Sequence, residues 1–565
     1  MVTRDTDNPK DLKSAHKIIE NLSKKVTGFQ ENILKIENKF NQSNQEEKRL
    51  SHENELLREQ IALLRHQMFG KKSERQTEDA GPVQQPLFPI EEIEDTEDVS
   101  EKQDEFITIN EHQRKKKGRK PLPIDLPRNI IVHDIPESEK QCNCGNKLEV
   151  IGEEVIEKLE VIPAVFWVNR HVRPKYACKH CEGLEDEGKT VKIAPPIPQI
   201  IPKSYASSSL LAHILISKYC DALPFYRQEQ MFKRAGLDLG RGNMSRWAMQ
   251  ISDRIKPLIN RLEKYIKSGP LINLDETRVQ VLKEVDKDPT SQSFMWVGRG
   301  GGFKNPAIFF KYSPRRNIET AKSFLGNYQG CVQTDGYQAY NYLDKKPGVI
   351  HAGCWVHARR KFKEVTNVSL KNKNKKSKKE MLANAALGYI RKLYDVERKA
   401  KLNNLAGEEL LLERREKSLP ILKEFKEWLC KYQPRVPKEL LLGKAINYTL
   451  NQWHRLEQFI TCSAVGLDNN LVENAIRPFA VGRKNWIFSN SVDGANASAA
   501  IYSLIETAKA NGINPFWYLH YLFEKIPQIK NESEYDHLMP YEINNDILKE
   551  FMNKINSQVK FTCEK

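Results

Sequence analysis

The stretches LINLD (residues 271–275) and GCVQTD (residues 330–335) decide the fold that we predict for this chain. Each is an apolar run that ends in an aspartate, Asp275 in the first and Asp335 in the second. The pattern between them is typical of further strands and one helix, at residues 277–281, 294–297, 307–310 and 317–327. We therefore predict several strands, a helix and a final strand, with the two aspartates at the ends of adjacent strands.

This order of elements is that of an RNase H-like fold, a mixed-sheet α/β core in which Asp275 and Asp335 converge on one site. Phosphodiester transfer by two metal ions ~3.5–4 Å apart needs carboxylates that bind hard cations and leave positions for water and DNA. The two aspartates are therefore predicted to bind Mg²⁺ or Mn²⁺. A strand-terminal aspartate is often only a turn former, so the interpretation needs a third carboxylate.

The best candidate for the third carboxylate is Glu473, in the segment DNNLVENAIR (residues 468–477). Glu473 would face the strand ends, with Arg477 one helical turn further along on the same side. A helical glutamate usually faces solvent, and periodicity alone leaves that alternative open. The residues predicted to cap and pack this helix are Asp468 or Asn469 for the cap and Leu471, Ala475 and Ile476 for the packing.

The interval between the second aspartate and Glu473 is far longer than a minimal core needs. Residues 383–429 and 438–460 are predicted to be helical, which indicates a helical insertion over residues 367–465. Its predicted role is to hold DNA ends or to organise the DNA complex.

Basic residues follow the Glu473 helix. Arg483 and Lys484 can bind phosphates of the scissile strand, and Trp486 either stacks on an unpaired base or fills the core. Helices at residues 494–510 and 514–524 are predicted to complete one face of the sheet.

The N-terminal segment, residues 1–75, carries a heptad repeat. With Leu12 as position a, apolar residues fill almost every a and d position over eight heptads, and the polar exceptions are Ser43, Glu47 and Asn54. Such a repeat predicts a coiled coil, and Asn54 at an a position favours a parallel dimer in fixed register. A single amphipathic helix packed on its own protein is the alternative.

The charge changes sign after the coiled coil. Residues 76–112 are predicted to be an acidic linker, either a solvated spacer or a DNA mimic that masks a basic surface. The basic arm that follows surrounds Gly118 and is similar to an AT-hook, which lies in a narrow minor groove; general phosphate contact is the alternative. Its basic residues are Arg114, Lys115, Lys116, Lys117, Arg119 and Lys120.

Two close cysteine pairs follow, Cys142 with Cys144 and Cys178 with Cys181. Four thiolates in two pairs are what a closed structural zinc site requires, so residues 113–190 are predicted to form the basic arm and a zinc-ribbon-like module. The first pair has a tighter spacing than usual, and His180 could replace one cysteine. The residues predicted to alternate in the strands between the pairs are Val155, Leu159, Val161, Phe166 and Val168.

Residues 200–267 are predicted to be helical. Apolar side chains recur at helical spacing from Leu210 to Tyr219, Gly236 interrupts a helix, and Gly242 lies at the start of another. Short helices around a glycine turn suit a helix-turn-helix-like DNA-binding segment.

The overall composition agrees with a nucleic-acid partner. The 565 residues are 39% hydrophobic, which is enough for several folded units, and the net charge of +16 favours a polyanion because bound cations release its counterions. No apolar run is long enough to span a membrane and no signal peptide is evident, so a cytoplasmic, membrane-free protein is expected. Ten cysteines in such a chain do not indicate a disulfide scaffold.

Taken together, these motifs resemble the insertion-sequence-66 family of transposases over nearly the full length of the chain. Besides the paired cysteines, the resemblance rests on long motifs that are rare in combination. They are FGKKSER (residues 69–75), SKYCDALPFYRQEQMFKRAGLDLGR (217–241), LDETRVQVL (274–282), TDGYQAY (334–340), HAGCWVHARRKF (351–362) and the segment from DNNLVENAIRPF to NGINP (468–515).

The resemblance implies a DDE-type transposase whose catalytic, metal-binding residues are Asp275, Asp335 and Glu473. Its RNase H-like core would occupy residues 268–366 and 466–530. A C-terminal tail would follow at residues 531–565.

The activity implied is metal-dependent cleavage at transposon DNA ends and strand transfer into target DNA. Expected cofactors are Mg²⁺ or Mn²⁺ and a structural Zn²⁺. Expected partners are transposon-end and target double-stranded DNA, further copies of the chain and accessory proteins of the same element, with the protein associated with the nucleoid. The alternatives are an inactive DNA-binding regulator and a nuclease that cuts without joining.

One motif at the start of the insertion, Cys354-Trp-Val-His357, resembles the Cys-x-x-His signature of several insertion-bearing transposases. Zinc binding is one interpretation of this pair. Packing or positioning at a strand-to-helix junction is the interpretation that the sequence favours.

Overall fold

The computed structural model describes residues 12–69, 106–109, 112–115, 166–177, 191–369 and 378–558. These residues divide into two compact units. One unit combines Met1–Glu94 with Pro198–Lys565, and the other is Asp95–Ile197.

The smaller unit contains two short antiparallel strand pairs. Strand β1 (Phe106–Ile109) pairs with β2 (His112–Lys115), and β3 (Lys175–Ala177) pairs with β4 (Val191–Ile193). The sequence prediction of strands around Phe166 and Val168 is wrong, because residues 166–174 are exposed chain outside any helix or strand. Burial alternates in a strand only when one face is covered, and no alternation is seen there.

The N-terminal helix α1 (Leu12–Phe69) is a single helix of 58 residues. Its heptad seam is uncovered within one chain: Phe29 and Ile36 are each 67% exposed. Helix α1 belongs to the larger unit, and its C-terminal part contacts two helices of that unit. Lys379 Nζ lies 2.8 Å from Glu59 Oε1, and the Leu441 N–H donates to Glu59 Oε2 over 2.9 Å.

The larger unit is built on a six-stranded mixed sheet. Its strands β5 to β10 are Leu271–Lys283, Gln292–Gly301, Pro306–Ser313, Gly330–Gln333, Val349–Ala352 and Ser489–Ser491. Five of them follow the order β7-β6-β5-β8-β9, in which β5, β6 and β7 are antiparallel and β8 and β9 run parallel to β5. Strand β10 pairs in parallel with the far end of β5.

Strand β5 corrects one sequence prediction. Residues 271–275 and 277–281 were expected to form separate strands, with Asp275 at a strand end. They form one strand of 13 residues that pairs continuously with β6, so Asp275 lies inside it. Within β5, only Leu271, Ile272 and Asn273 pair with β8, so Asp275 lies just beyond the point where this parallel neighbour ends.

Five helices before β8 pack on the same hydrophobic core as the sheet. They are α2 to α6: Ser208–Tyr219, Phe225–Arg234, Arg241–Arg254, Lys256–Ile266 and Ile318–Leu325. Serine and asparagine are favoured cap residues, and they cap α2 and α6. The Ser207 and Asn317 side chains each accept a hydrogen bond from the backbone N–H three residues further along the chain. Helix α5 approaches β6 closely: a Cβ at Gly300 would lie 2.3 Å from the carbonyl oxygen of Ile266.

A group of helices separates β9 from the last part of the sheet and has a hydrophobic core of its own. They are α7 to α12: Trp355–Ser369, Lys378–Leu402, Gly407–Glu413, Leu419–Tyr432, Leu441–Asn451 and Trp453–Leu456. We call α8 to α12 the intervening helices. Their buried anchor is Arg414, whose guanidinium donates to Glu397 and to the carbonyl oxygens of Phe459 and Val465. A disulfide between Cys331 and Cys462 joins β8 to the chain that leaves these helices.

The C-terminal helices α13 to α16 are Asn470–Trp486, Val492–Ala510, Pro515–Lys525 and Asn545–Gln558. Helix α14 was expected on a face of the sheet, but it covers the edge at β7. The Ile308 N–H donates to Thr507 Oγ1 over 2.9 Å, and the Phe310 N–H donates to Ser503 Oγ over 2.8 Å. These hydroxyls satisfy backbone donors that an open edge would leave unpaired.

The segment predicted as a C-terminal tail is partly folded. Leu538, Met539, Ile543 and Leu548 are buried in the core of the larger unit, so the residues up to Gln558 belong to the packed structure. No helix in the described part of the chain has the length and apolar character needed to cross a membrane.

Candidate functional site

Three acidic side chains from separate segments approach each other at one end of the β5–β8 pair. Asp275 lies within β5, Asp335 follows β8, and Glu473 lies in the first turn of α13. Burial raises the pKa of Asp275 well above its usual range, and the negative charges of Glu276, Asp335 and Glu473 raise it further. The structure therefore brings the three predicted carboxylates within electrostatic reach of one another.

Backbone hydrogen bonds orient the two aspartates. The Glu276 N–H donates to Asp275 Oδ1 over 2.8 Å, and the Tyr337 N–H donates to Asp335 Oδ1 over 2.9 Å. Each aspartate is thus held by a backbone N–H one or two residues further along the chain.

Glu473 is only 6% exposed. Its Oε2 accepts a hydrogen bond from Arg360 Nη2 over 3.1 Å, whereas its Oε1 is buried and has no hydrogen-bond partner. A buried carboxylate oxygen without a partner is costly, so this atom calls for a cation or a donor.

The start of α13 agrees only partly with the sequence prediction. Asp468 accepts from the Asn470 N–H over 3.2 Å, as a cap would, and Ala475 and Ile476 are buried. Leu471, which was expected to pack, is 54% exposed. The buried residues of this first turn are instead Asn470, Val472 and Glu473.

A buried amide network, which the sequence analysis missed, fixes α13 to the sheet. Asn273 Nδ2 donates to Gln333 Oε1 and to Asn469 Oδ1, each over 2.9 Å. Asn469 Nδ2 donates to the Leu274 carbonyl, and Gln333 Nε2 donates to the Gly466 carbonyl. The sequence did contain a signal for this network, because each apolar run that ends in an aspartate includes one amide residue, Asn273 before Asp275 and Gln333 before Asp335.

A fourth carboxylate, Glu276, was also missed. Its side chain is 1% exposed, forms an ion pair with Arg316 and accepts a hydrogen bond from the Tyr340 hydroxyl. The Arg316 guanidinium stacks 3.6 Å from the centroid of the Tyr337 ring, and its Nη2 lies 3.9 Å from Asp335 Oδ2. Burial and the Asp335 charge raise the pKa of Glu276, while Tyr340 and Arg316 oppose that rise.

A second charged network lies next to Asp335 and contacts the preceding residue, Thr334. His351 is buried in β9; its Nδ1 lies 2.6 Å from Asp344 Oδ1 and its Nε2 lies 2.9 Å from the Thr334 hydroxyl. Arg455 forms an ion pair with the same Asp344 carboxylate. Burial and the Arg455 charge lower the pKa of His351 to about 4 despite Asp344, so the imidazole is neutral and its Nδ1–H donates to Asp344.

Cys354 and His357 lie at the junction of β9 and α7, as the sequence predicted. Unexpectedly, their ligand atoms and those of Glu473 all lie within 4.8 Å of one another. Cys354 is buried, and His357 Nδ1 is buried without a hydrogen-bond partner. Burial and the Glu473 charge raise the pKa of the Cys354 thiol to about 12.

The predicted DNA-contacting residues near α13 differ in their surroundings. Arg477 and Arg483 are half-buried, and Arg483 Nη1 donates to Thr277 Oγ1 over 3.1 Å, which ties α13 to β5. Lys484 is exposed. Trp486 is half-buried and packs edge-to-face on Phe479, with ring centroids 5.4 Å apart, so it lies against the core.

Several predicted site residues lie outside the described residues. They are Cys142, Cys144, Cys178 and Cys181 of the zinc prediction and Lys116, Lys117, Arg119 and Lys120 of the basic arm. Arg114 and Lys115 lie in β2, where only the backbone is described.

Residues 203–497, more than half of the chain, match the family model described as "Transposase IS66 family". The chain belongs to the IS66 transposase family. Three further models of that family cover other parts: the IS66 C-terminal element (residues 503–541), the zinc-finger binding domain of transposase IS66 (139–182) and Transposase C of IS166 homeodomain (56–131).

Curated relatives come from Sinorhizobium fredii. Uncharacterized protein y4jD is 31% identical over 72% of this IS66-family chain and 78% of its own length. Uncharacterized proteins y4hP and y4qI are each 29% identical, over 85% and 86% of this chain and 87% and 89% of their own lengths. The family models support a transposase role, DNA as a partner and a structural zinc, and the zinc-finger match includes all four paired cysteines.

Proposed function

We propose that this IS66-family chain is a DDE-type transposase that cleaves transposon ends and joins them to target DNA. Asp275, Asp335 and Glu473 are its proposed catalytic carboxylates and hold Mg²⁺ or Mn²⁺. The proposed core is RNase H-like and is divided by the intervening helices. The strand order supports this fold, because three antiparallel strands are followed by two strands parallel to the first.

The observation that carries the proposal is the electrostatic state of Asp275. A half-buried carboxyl near three further carboxylates is unfavourable as an anion unless cations compensate it. The partnerless, buried Oε1 of Glu473 is the kind of oxygen that a hard cation binds. The donor set thus fits divalent metal ions.

When bound, two such ions would activate the attacking water or 3′-hydroxyl and stabilise the leaving oxygen. The protein contributes orientation. Backbone N–H groups hold Asp275 and Asp335, and the Asn273–Gln333–Asn469 network holds the helix that carries Glu473. Because these groups are buried and bonded before DNA arrives, little reorganisation is needed at the site.

The ion pair with Arg316 gives Glu276 a different role from the other three carboxylates. Its charge is already balanced, so Glu276 positions Arg316 and Tyr340 and does not compete for the metal ions. Exposed Lys484 is the proposed contact to DNA phosphate on this side, and Arg477 and Arg483 are further candidates.

The uncovered heptad seam of α1 supports assembly through a coiled coil. Large apolar side chains that are more than half exposed along several turns are unfavourable in water and are covered when two copies pair. We propose a parallel dimer. Accessory proteins of the same element and association with the nucleoid remain part of the proposal.

The test is a strand-transfer assay with labelled element ends and Mg²⁺. Asp335→Asn keeps the size of the side chain and should abolish both cleavage and joining while DNA binding persists. The matched control is Asp546→Asn, at an 81%-exposed side chain in α16, and it should retain activity. Full joining by Asp335→Asn would refute the site.

The same assay separates the alternatives by its products. Cut but unjoined ends from the wild type would indicate a nuclease. Retarded but uncut DNA would indicate a DNA-binding regulator.

A further inference from the structure

We propose that Cys354, His357 and Glu473 form a binding site for a thiophilic divalent cation, with Zn²⁺ as its probe. The ligand atoms of the three residues all lie within 4.8 Å of one another. Cys354 and His357 come from the start of α7, whereas Glu473 comes from α13, far away in the sequence. The third ligand is therefore supplied by the fold and not by local helical spacing.

Two partnerless polar atoms point to a missing ligand. Glu473 Oε1 and His357 Nδ1 are both buried without a hydrogen-bond partner. A buried polar atom without a hydrogen-bond partner is unfavourable. One cation bound between them would satisfy both atoms together.

The surroundings of the sulfur include two hydrogen-bond donors. The backbone N–H groups of His357 and Asn469 are hydrogen-bonded to the Cys354 sulfur. Such donors stabilise negative charge on sulfur, and hydrogen bonds of this kind support metal ligands from the outer shell.

The ligand types select the kind of metal. Magnesium prefers oxygen, whereas one thiolate, one imidazole and one carboxylate suit Zn²⁺ and similar cations. Three protein ligands leave one tetrahedral position for solvent or another donor. The site therefore differs chemically from the aspartate pair and from the four-cysteine prediction.

Glu473 belongs both to this site and to the group of carboxylates that it forms with Asp275 and Asp335. Its Oε2 is bonded to Arg360, so Oε1 is the one oxygen that would serve both this site and the proposed Mg²⁺ site. A cation on Cys354 and His357 would fix the rotamer of Glu473. This inference goes beyond the proposed function, because metal content is measurable whether or not the chain joins DNA.

The experiment counts zinc in the full-length chain by elemental analysis after purification and removal of loosely bound metal. The wild type should carry two equivalents, one in the zinc finger and one at this site. The Cys354→Ser/His357→Gln variant should lose one equivalent. The control Cys430→Ser changes an exposed free cysteine and should lose none.

A second measurement does not depend on the folding of that variant. The Cys142→Ser/Cys144→Ser/Cys178→Ser/Cys181→Ser chain, which retains Cys354, should bind one Co²⁺ with a sulfur-to-metal charge-transfer band of a single thiolate. Retention of two zinc equivalents by the Cys354→Ser/His357→Gln variant would overturn the proposal, as would the absence of a thiolate band from the chain that lacks the four zinc-finger cysteines. Loss of strand transfer alone would bear on the proposed function and not on this site.

Discussion

Arg360 donates a hydrogen bond from Nη2 to Oε2 of Glu473 over 3.1 Å and thereby joins α7 to α13. The guanidinium is the positive charge that balances Glu473 in the absence of metal ions. Any cation that binds this carboxylate must do so next to a fixed positive charge.

Replacing Arg360 by glutamine should therefore strengthen Mn²⁺ binding. Removing one positive charge beside the carboxylate favours a cation by roughly 1 kcal/mol, or about fivefold in affinity, at the effective dielectric of a half-exposed site. Mn²⁺ titration followed by electron paramagnetic resonance measures the change. Arg398→Gln, at a 70%-exposed side chain, is the control. Weaker Mn²⁺ binding by Arg360→Gln would mean that Arg360 organises the site.

The Glu276–Arg316 ion pair should contribute to the free energy of unfolding. Arg316→Met leaves Glu276 as a buried charge, and the free energy of unfolding should fall by roughly 2 kcal/mol, because partial exposure of Arg316 softens the ~3–5 kcal/mol cost of breaking a fully buried pair. Urea unfolding should show that Glu276→Gln/Arg316→Met recovers much of the loss. Equal losses in the single and double variants would contradict this account.

The neutral state of His351 predicts a dependence of stability on pH. In the unfolded chain the imidazole gains its proton near its usual pKa of 6.5, whereas the folded protein resists protonation until about pH 4. The unfolded state therefore binds more protons in this window, and stability falls as the pH falls. The loss should be on the order of 3 kcal/mol.

Urea unfolding of His351→Gln between pH 7 and pH 4 checks this point, since the variant should lack most of that slope. The control is His454→Gln, at a 56%-exposed side chain near the same Asp344, and it should keep the slope of the wild type. Identical slopes in all three proteins would show that His351 does not titrate as described.

The α1 seam predicts an oligomer that one charge can weaken. Ile33→Asp places a carboxylate at a position a of the heptad, and sedimentation equilibrium should show a smaller mass than for the wild type. Lys35→Asp, two residues away on the outer side, should keep the mass of the wild type. An unchanged mass for Ile33→Asp would argue against pairing through this seam.

Apolar runs that end in an aspartate predicted Asp275 and Asp335 from the residues alone, whereas Glu473 was predicted mainly from the family resemblance of the segment DNNLVENAIRPF. The sequence was insufficient for their partners. Arg316 meets Glu276 through tertiary packing, which periodicity does not encode.

The mistaken element predictions have similar causes. A charged pair at residues 275–276 resembled a strand end, but continuous pairing with β6 carries the strand through it. In sequence, Ser503 and Thr507 are equally compatible with a helix on the face of the sheet and with one along its edge. The N–H groups of β7 that do not pair with β6 bind these two hydroxyls and place the helix at the edge.

The two ends of the chain around the intervening helices are hydrogen-bonded to each other. The Gly353 N–H donates to the Arg455 carbonyl over 3.0 Å, and the Trp355 N–H donates to the Leu467 carbonyl over 2.8 Å. The chain that forms these helices therefore leaves the sheet and returns to it at nearly the same place. Evolution can lengthen, shorten or exchange such a segment without moving Asp335 relative to Glu473, and the same junction is a natural place to graft a foreign domain or a reporter.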